Sequence, residues 1–185
     1  MPGGDPLRAL TAHSRCAHLA VVAAPGASDG DALTTGFASR LLVGAGCPIL
    51  FAPPAAQLDC GKRVLVAWAD RRESARALRD ALPILRAAAS VEVLRLASGH
   101  GGEGAEPLDT VAAYLAAHGV QARCSVRALR EAPFAERVLT PNVVDASIAE
   151  LLLSHAADAA ADLIVMGGYG HSRTYELVLG GVTRS

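Results

Sequence analysis

Residues 63–68 read RVLVAW, a run in which every position after the first is apolar and nothing polar alternates with it. A strand with one wet face alternates apolar and polar side chains. An unbroken apolar run therefore calls for cover on both faces, the condition of a parallel sheet between two layers of helix. Comparable runs recur at 18–24 (HLAVVAA), 48–52 (PILFA) and 163–167 (LIVMG), and 91–96 and 121–127 also read as strands. Helical segments are predicted between them at 32–43, 72–88, 108–117 and 144–157. In 72–88, Ala77, Leu78, Ala81, Leu82 and Leu85 fall on one side and the charges on the other. Pro83 is expected to end or kink that helix. His118-Gly119 closes 108–117, with glycine at the position after a helix end that suits it. Segments 98–106 (SGHGGEGAE) and 132–142 read as irregular. Strands alternating with helices define an α/β fold, an open parallel sheet with helices on both faces.

Such a sheet needs a core, and 51% apolar residues supply it. Aromatics are only 4%, so Val, Leu and Ile carry the burial at roughly 1.5–3 kcal/mol each. A formal charge of −1 leaves no basic footprint for nucleic acid. No apolar run reaches the roughly 18–20 residues of a membrane span, and the opening MPGGDP lacks the regions of a signal peptide. A soluble cytoplasmic protein is expected, without membrane or nucleic-acid partners. Cys16, Cys47, Cys60 and Cys124 show no paired or metal-binding spacing and are expected to be buried, reduced thiols. His13, His18, His100, His118 and His155 likewise lack ligand spacing and read as surface or cap residues.

The tract 53–62 (PPAAQLDCGK) has the Pro, Gly and polar residues of a boundary. The stretch 17–24 (AHLAVVAA) matches 161–168 (ADLIVMGG) in pattern, each after a helical segment and before a loop. Duplication and chance similarity of two apolar strands both account for the match. On the first reading, 1–56 is the end of one domain, 57–62 a linker, and 63–185 a second domain without its final strand. The segment 48–52 would then be a candidate to pair at the open edge beside 163–166.

The most informative segment is Gly167-Gly168-Tyr169-Gly170-His171-Ser172, running on to Gly180-Gly181-Val182-Thr183. Glycines after a buried strand let the backbone approach a ligand closely. Free N–H groups at a helix start suit a phosphate, and Ser172 and Thr183 add hydroxyl donors. Spacing alone leaves a phosphate cradle and a plain tight turn both open.

Gly167, Gly170 and Gly180 match, in order, G-x-x-G, nine residues and G, the signature of the universal stress protein family. The string DLIVMGGYGHSRTYELVLGGVTR resembles tandem bacterial members. RVLVAWADRRESARA resembles the family's first strand and helix, and GFASRLLVGAGCPILFAPP the end of a preceding family domain. The resemblance implies a flavodoxin-like (Rossmann-like) sheet of order 3-2-1-4-5. It also implies ATP with Mg²⁺ as ligand, and a homodimer. Ala67, Trp68 and Ala69 would lie at the base and ribose end, with Leu96 facing adenine. Met166, Gly167, Gly170, His171, Ser172, Gly180, Gly181, Val182 and Thr183 would lie on the phosphate side.

The sequence departs from the family at two site positions. Where the family carries Asp followed by Gly-Ser, this chain has Ala69-Asp70-Arg71, so Asp70 could serve only with a shift of one residue. The small hydroxyl residue after the last glycine is Gly181, which loses one side-chain donor worth about 1 kcal/mol. A nucleotide-free dimerisation scaffold is the alternative these departures favour. Trp68 suits either stacking on a base or packing on the first helix. Arg71-Arg72 reads as a solvated first turn, and Asp158 and Asp162 as helix-end solvation. His171-Ser172 are neighbours that cannot readily face each other and have no third orienting group, so no catalysis beyond slow ATP hydrolysis is expected.

Overall fold

The computed structural model describes residues 5–23, 32–53, 60–98, 108–129 and 141–168. The chain divides after residue 56 into two compact units.

The first unit holds α1 (Pro6–Ser14), β1 (Ala20–Ala23), α2 (Ala32–Gly44) and β2 (Ile49–Ala52). The sequence reading did not anticipate α1, although its start carries a clear signal. Asp5 caps it by accepting from Leu7 N–H at 3.0 Å, and Pro6 stands at the first helical position, where its missing N–H costs nothing. Strands β1 and β2 pair in parallel from Ala20↔Ile49 to Ala23↔Ala52. Leu7, Ala20, Ala38, Leu41 and Cys47 are buried here. β2 therefore finds its partner within its own β1–α2–β2 unit, in a two-stranded sheet, and does not pair at the edge beside 163–166. A strand joined to it by one helical crossover is the nearer partner for a parallel ladder.

The second unit holds β3 (Arg63–Trp68), α3 (Arg72–Ala87), β4 (Ser90–Ser98), α4 (Asp109–Ala117), β5 (Ala122–Leu129), α5 (Pro141–Asp158) and β6 (Leu163–Met166). The strands form one parallel sheet in the order β5-β4-β3-β6, which is 3-2-1-4 counted within this unit. Alternation along the strands sends side chains to two layers. Val64, Val66, Val91 and Val93 meet Leu78, Leu82 and Leu85 of α3 and Val111 and Leu115 of α4. Leu65 and Leu94 meet Leu152 and Ala156 of α5 on the other face.

Pro83 does not end α3, which continues to Ala87. The proline lies on the exposed side of the helix, where water can satisfy the carbonyl it leaves without a partner. α4 closes as its sequence indicates. Gly119 has φ +79°, and Gly119 N–H and Val120 N–H donate to Ala116 O and Leu115 O, both at 2.9 Å. α5 starts at Pro141, three residues before the predicted 144, and a proline there fits the first turn.

Asp162 is not a solvated helix end. Its carboxylate accepts from the N–H groups of Gly61 (2.8 Å), Lys62 (3.1 Å) and Arg63 (3.2 Å), while Arg63 Nε donates to Ala160 O at 2.6 Å. The entries to β3 and β6 are thus pinned together. No disulfide joins the cysteines. Cys47 is buried and Cys124 partly so, with its thiol pushed up by burial, but Cys16 and Cys60 are exposed, contrary to the expectation that all four would be inside.

Candidate functional site

From β3 the chain winds outward to β4 and β5, then returns to add β6 on the other side of β3. The reversal falls between β3 and β6, and in open α/β sheets the crevice at the carboxyl ends of such a pair is the ligand end. Ala67 and Met166 are register partners there. Leu96, farther along β4, packs with Ala67 on the α5 layer. The structure therefore brings Ala67, Leu96 and Met166 together on one face.

Trp68 does not join them. Its side chain packs on the α3 layer, and its indole N–H donates to Asp70 Oδ1 at 2.8 Å. Of the two roles open to this residue, packing is the one realised. Asp70 is further engaged by Arg95 at 3.6 Å, so its carboxylate is held on the α3 side. Ala69 N–H donates to Ser74 Oγ at 3.3 Å, and Arg71 N–H to Ala69 O at 2.7 Å, which folds 69–71 into a tight turn. Ser74, 7% exposed, fixes this turn from within α3 and was not singled out from the sequence. Its signal was a hydroxyl in the first turn of a helix, two residues after Arg72, able to reach nearby backbone.

Gly167 has a packing role. A Cβ built on it would lie 2.7 Å from the backbone of Glu73 and Ser74, so only glycine lets the end of β6 meet the first turn of α3. Beside it, a cavity of about 660 Å³ is lined, among the described residues, by Arg72, Glu73, Ala75, Arg76, Arg79 and Gly168. Arg72 donates to Glu73 at 2.6 Å, and this hydrogen bond holds the Glu73 carboxyl below its ordinary range. Gly170, His171, Ser172, Gly180, Gly181, Val182 and Thr183 lie outside the described residues, so their predicted roles are carried by sequence alone.

A polar trio stands elsewhere on the α5 layer. Glu92 of β4 accepts from Ser125 Oγ of β5 at 2.7 Å and pairs with His155 Nε2 of α5 at 2.9 Å. Burial pushes the Glu92 carboxyl up, but the hydrogen bonds from Ser125 and His155 outweigh it and leave the group lowered. His155 is 12% exposed, so it is an interior fastening and not the surface residue its spacing suggested. His118, in contrast, caps α4 as expected.

The described unit is thus of the class of parallel α/β domains that present a crevice at a topological switch point. The chain belongs to the universal stress protein family, whose model matches residues 61–185. A universal stress protein from Archaeoglobus fulgidus shares the fold, with TM-score 0.65 and 17% identity over 100% of this chain and 64% of that one. A universal stress family protein from Burkholderia pseudomallei aligns over 68% of this chain and 93% of its own, with 20% identity and TM-score 0.49. No curated protein matches the chain. Among the described residues no helix is long and apolar enough to cross a membrane, and no three His, Cys, Asp or Glu side chains gather to hold a metal.

Proposed function

We propose that the chain binds an adenine nucleotide, ATP or a close relative, at the β3–β6 crevice and acts in the stress response through dimerisation or partner binding in the cytoplasm. One observation carries the reading. The apolar side chains of Ala67, Leu96 and Met166 share a face at the carboxyl end of the sheet, and β6 leads directly through Gly168 into the glycine string. A flat apolar surface beside a run of small residues suits a base next to phosphates. Mg²⁺ would arrive on the phosphates of the nucleotide. The protein works as a binding module, with slow hydrolysis as the most that is expected of it.

A nucleotide-free, dimerising scaffold is the second reading. It is favoured by the engagement of Asp70 with Trp68 and Arg95 and of Ala69 N–H with Ser74, which occupies two polar groups a ribose would use. Calorimetric titration of ATP with Mg²⁺ into wild type and Gly170→Val separates the two. Saturable binding that the substitution abolishes is expected. Absence of heat at near-millimolar ATP, with the chain shown to be folded, would leave the scaffold.

A further inference from the structure

The two sides of α3 are unlike. Leu78, Leu82 and Leu85 pack the helix onto the sheet, and its outward side carries arginine. Arg72, Arg76, Arg79 and Arg86 stand at i, i+4, i+7 and i+14, and the helical period brings such positions within about 80° of one another. They form a single row along the solvent side, about 21 Å from first to last at the rise of an α-helix. The side chains of Arg72, Arg76 and Arg79 are 93%, 61% and 66% exposed, and Arg86 is exposed as well. The two carboxylates of the helix, Glu73 and Asp80, fall together on one flank of the row. Glu73 meets Arg72 at 2.6 Å, and Asp80 is shared at 3.5 Å by Arg76 and at 3.8 Å by Arg79. Ion pairs so open to water hold weakly and exchange readily. Four guanidinium groups against two carboxylates leave α3 positive in a chain whose formal charge is −1. Because the opposite side is anchored in the core, the row is a rigid ridge, and binding to it orders no backbone.

The form of the ridge selects its occupant. A nucleic-acid duplex or a lipid surface is broad, and would meet Glu73 and Asp80 along with the arginines. The row also lacks a large apolar side chain to enter a lipid layer. A helix with carboxylates along one side is as narrow as the row and repeats at the same period. Its acids can therefore face successive arginines in charge-assisted pairs.

We infer that the arginine row of α3 is a docking surface for an acidic helix of a partner protein. The inference holds whether or not a nucleotide occupies the β3–β6 crevice. The probes are two labelled, alanine-rich peptides of about 18 residues, long enough to form helix. Both carry the same number of glutamates, aligned on one side of the helix in the first and spread around it in the second. Each is titrated into the full chain by fluorescence anisotropy at low ionic strength. The aligned peptide is expected to bind about tenfold more tightly than the spread one, and to weaken as salt is added. Arg76→Gln/Arg79→Gln should lower its affinity about tenfold, as befits loss of one or two charge-assisted contacts. Arg76→Lys/Arg79→Lys should recover part of that loss, and Arg123→Gln/Arg127→Gln on β5 should leave the affinity unchanged. Absence of binding, equal affinity for the two peptides, or an equal fall in the α3 and β5 glutamine variants would overturn the inference. Tighter binding of duplex DNA or of phosphatidylserine vesicles through the same arginines would overturn it too, by giving the ridge to another polyanion.

Discussion

The two faces of the four-stranded sheet are covered by different physics. Under α3 and α4, twelve buried residues among those described form one cluster, all of them apolar. Under α5 the corresponding cluster has, among the described residues, four buried members, Leu65, Leu94, Leu152 and Ala156, flanked by partly buried Ala67, Leu96, Ile148, Ala161 and Ile164, and the same layer also holds Glu92, Ser125 and His155. Apolar packing tolerates small shifts of a helix over a sheet, because dispersion and burial have little direction. A hydrogen-bonded trio drawn from β4, β5 and α5 is satisfied at one setting of the helix and broken by a slide of one turn. The first face thus contributes stability, and the second fixes where α5 lies. Since α5 leads directly into β6, that setting governs the strand that forms one side of the crevice.

The largest expected effect tests the first face. Leu115→Ala, at a side chain with no exposure, should cost about 3 kcal/mol in urea unfolding, and Leu152→Ala, in the cluster with fewer buried members among the described residues, about 2 kcal/mol. The reverse order would break the comparison. Next, His155→Ala should cost about 2 kcal/mol by leaving Glu92 buried without its imidazole. The pair Glu92→Leu with His155→Leu should come out near neutral, since apolar replacement of both partners removes the desolvation cost along with the bond. A double variant as unstable as His155→Ala would show that the trio contributes more than position. The smallest effect is on pH. Glu92 is lowered in the folded state, so its contribution is present above the ordinary carboxylate range and is lost as pH falls through its lowered value. Ser125→Ala should cost about 1 kcal/mol at neutral pH and flatten the acid limb of a stability–pH curve. An unchanged limb would place the proton uptake elsewhere.

How far each part was legible follows from what the sequence encodes locally. β3 spans the same residues as predicted, because a strand covered on both faces has an unmistakable composition. The end of α4 was readable for a similar reason, since one glycine must take positive φ there. α1 escaped because nine residues, with only Leu7 and Ser14 buried, give too few turns for periodicity to stand out. The site was less legible than the fold. Grouping Ala67, Trp68 and Ala69 as neighbours of one ligand conflicts with strand alternation, which sends Ala67 and Trp68 to opposite layers. The diversion of Asp70 depends on Arg95, a residue from another strand, and no local pattern announces it. The interior place of His155 depends on Glu92, 63 positions away in the chain. Gly167 was marked as special, but the contact that requires it, with the backbone of Glu73 and Ser74, is set by tertiary packing.

The carboxylate of Asp162 has a mechanical side. It grips three successive amides of the segment entering β3 while sitting at the entry of β6. Tension applied to the chain at residue 60 therefore meets a rivet before it meets the sheet, and the load is divided between two parallel strands. The crevice lies at the far end of those strands, about 20 Å away for a six-residue strand. Strain arriving at residue 60 is taken up at the entry end of the two strands, and their carboxyl end is left mechanically quiet.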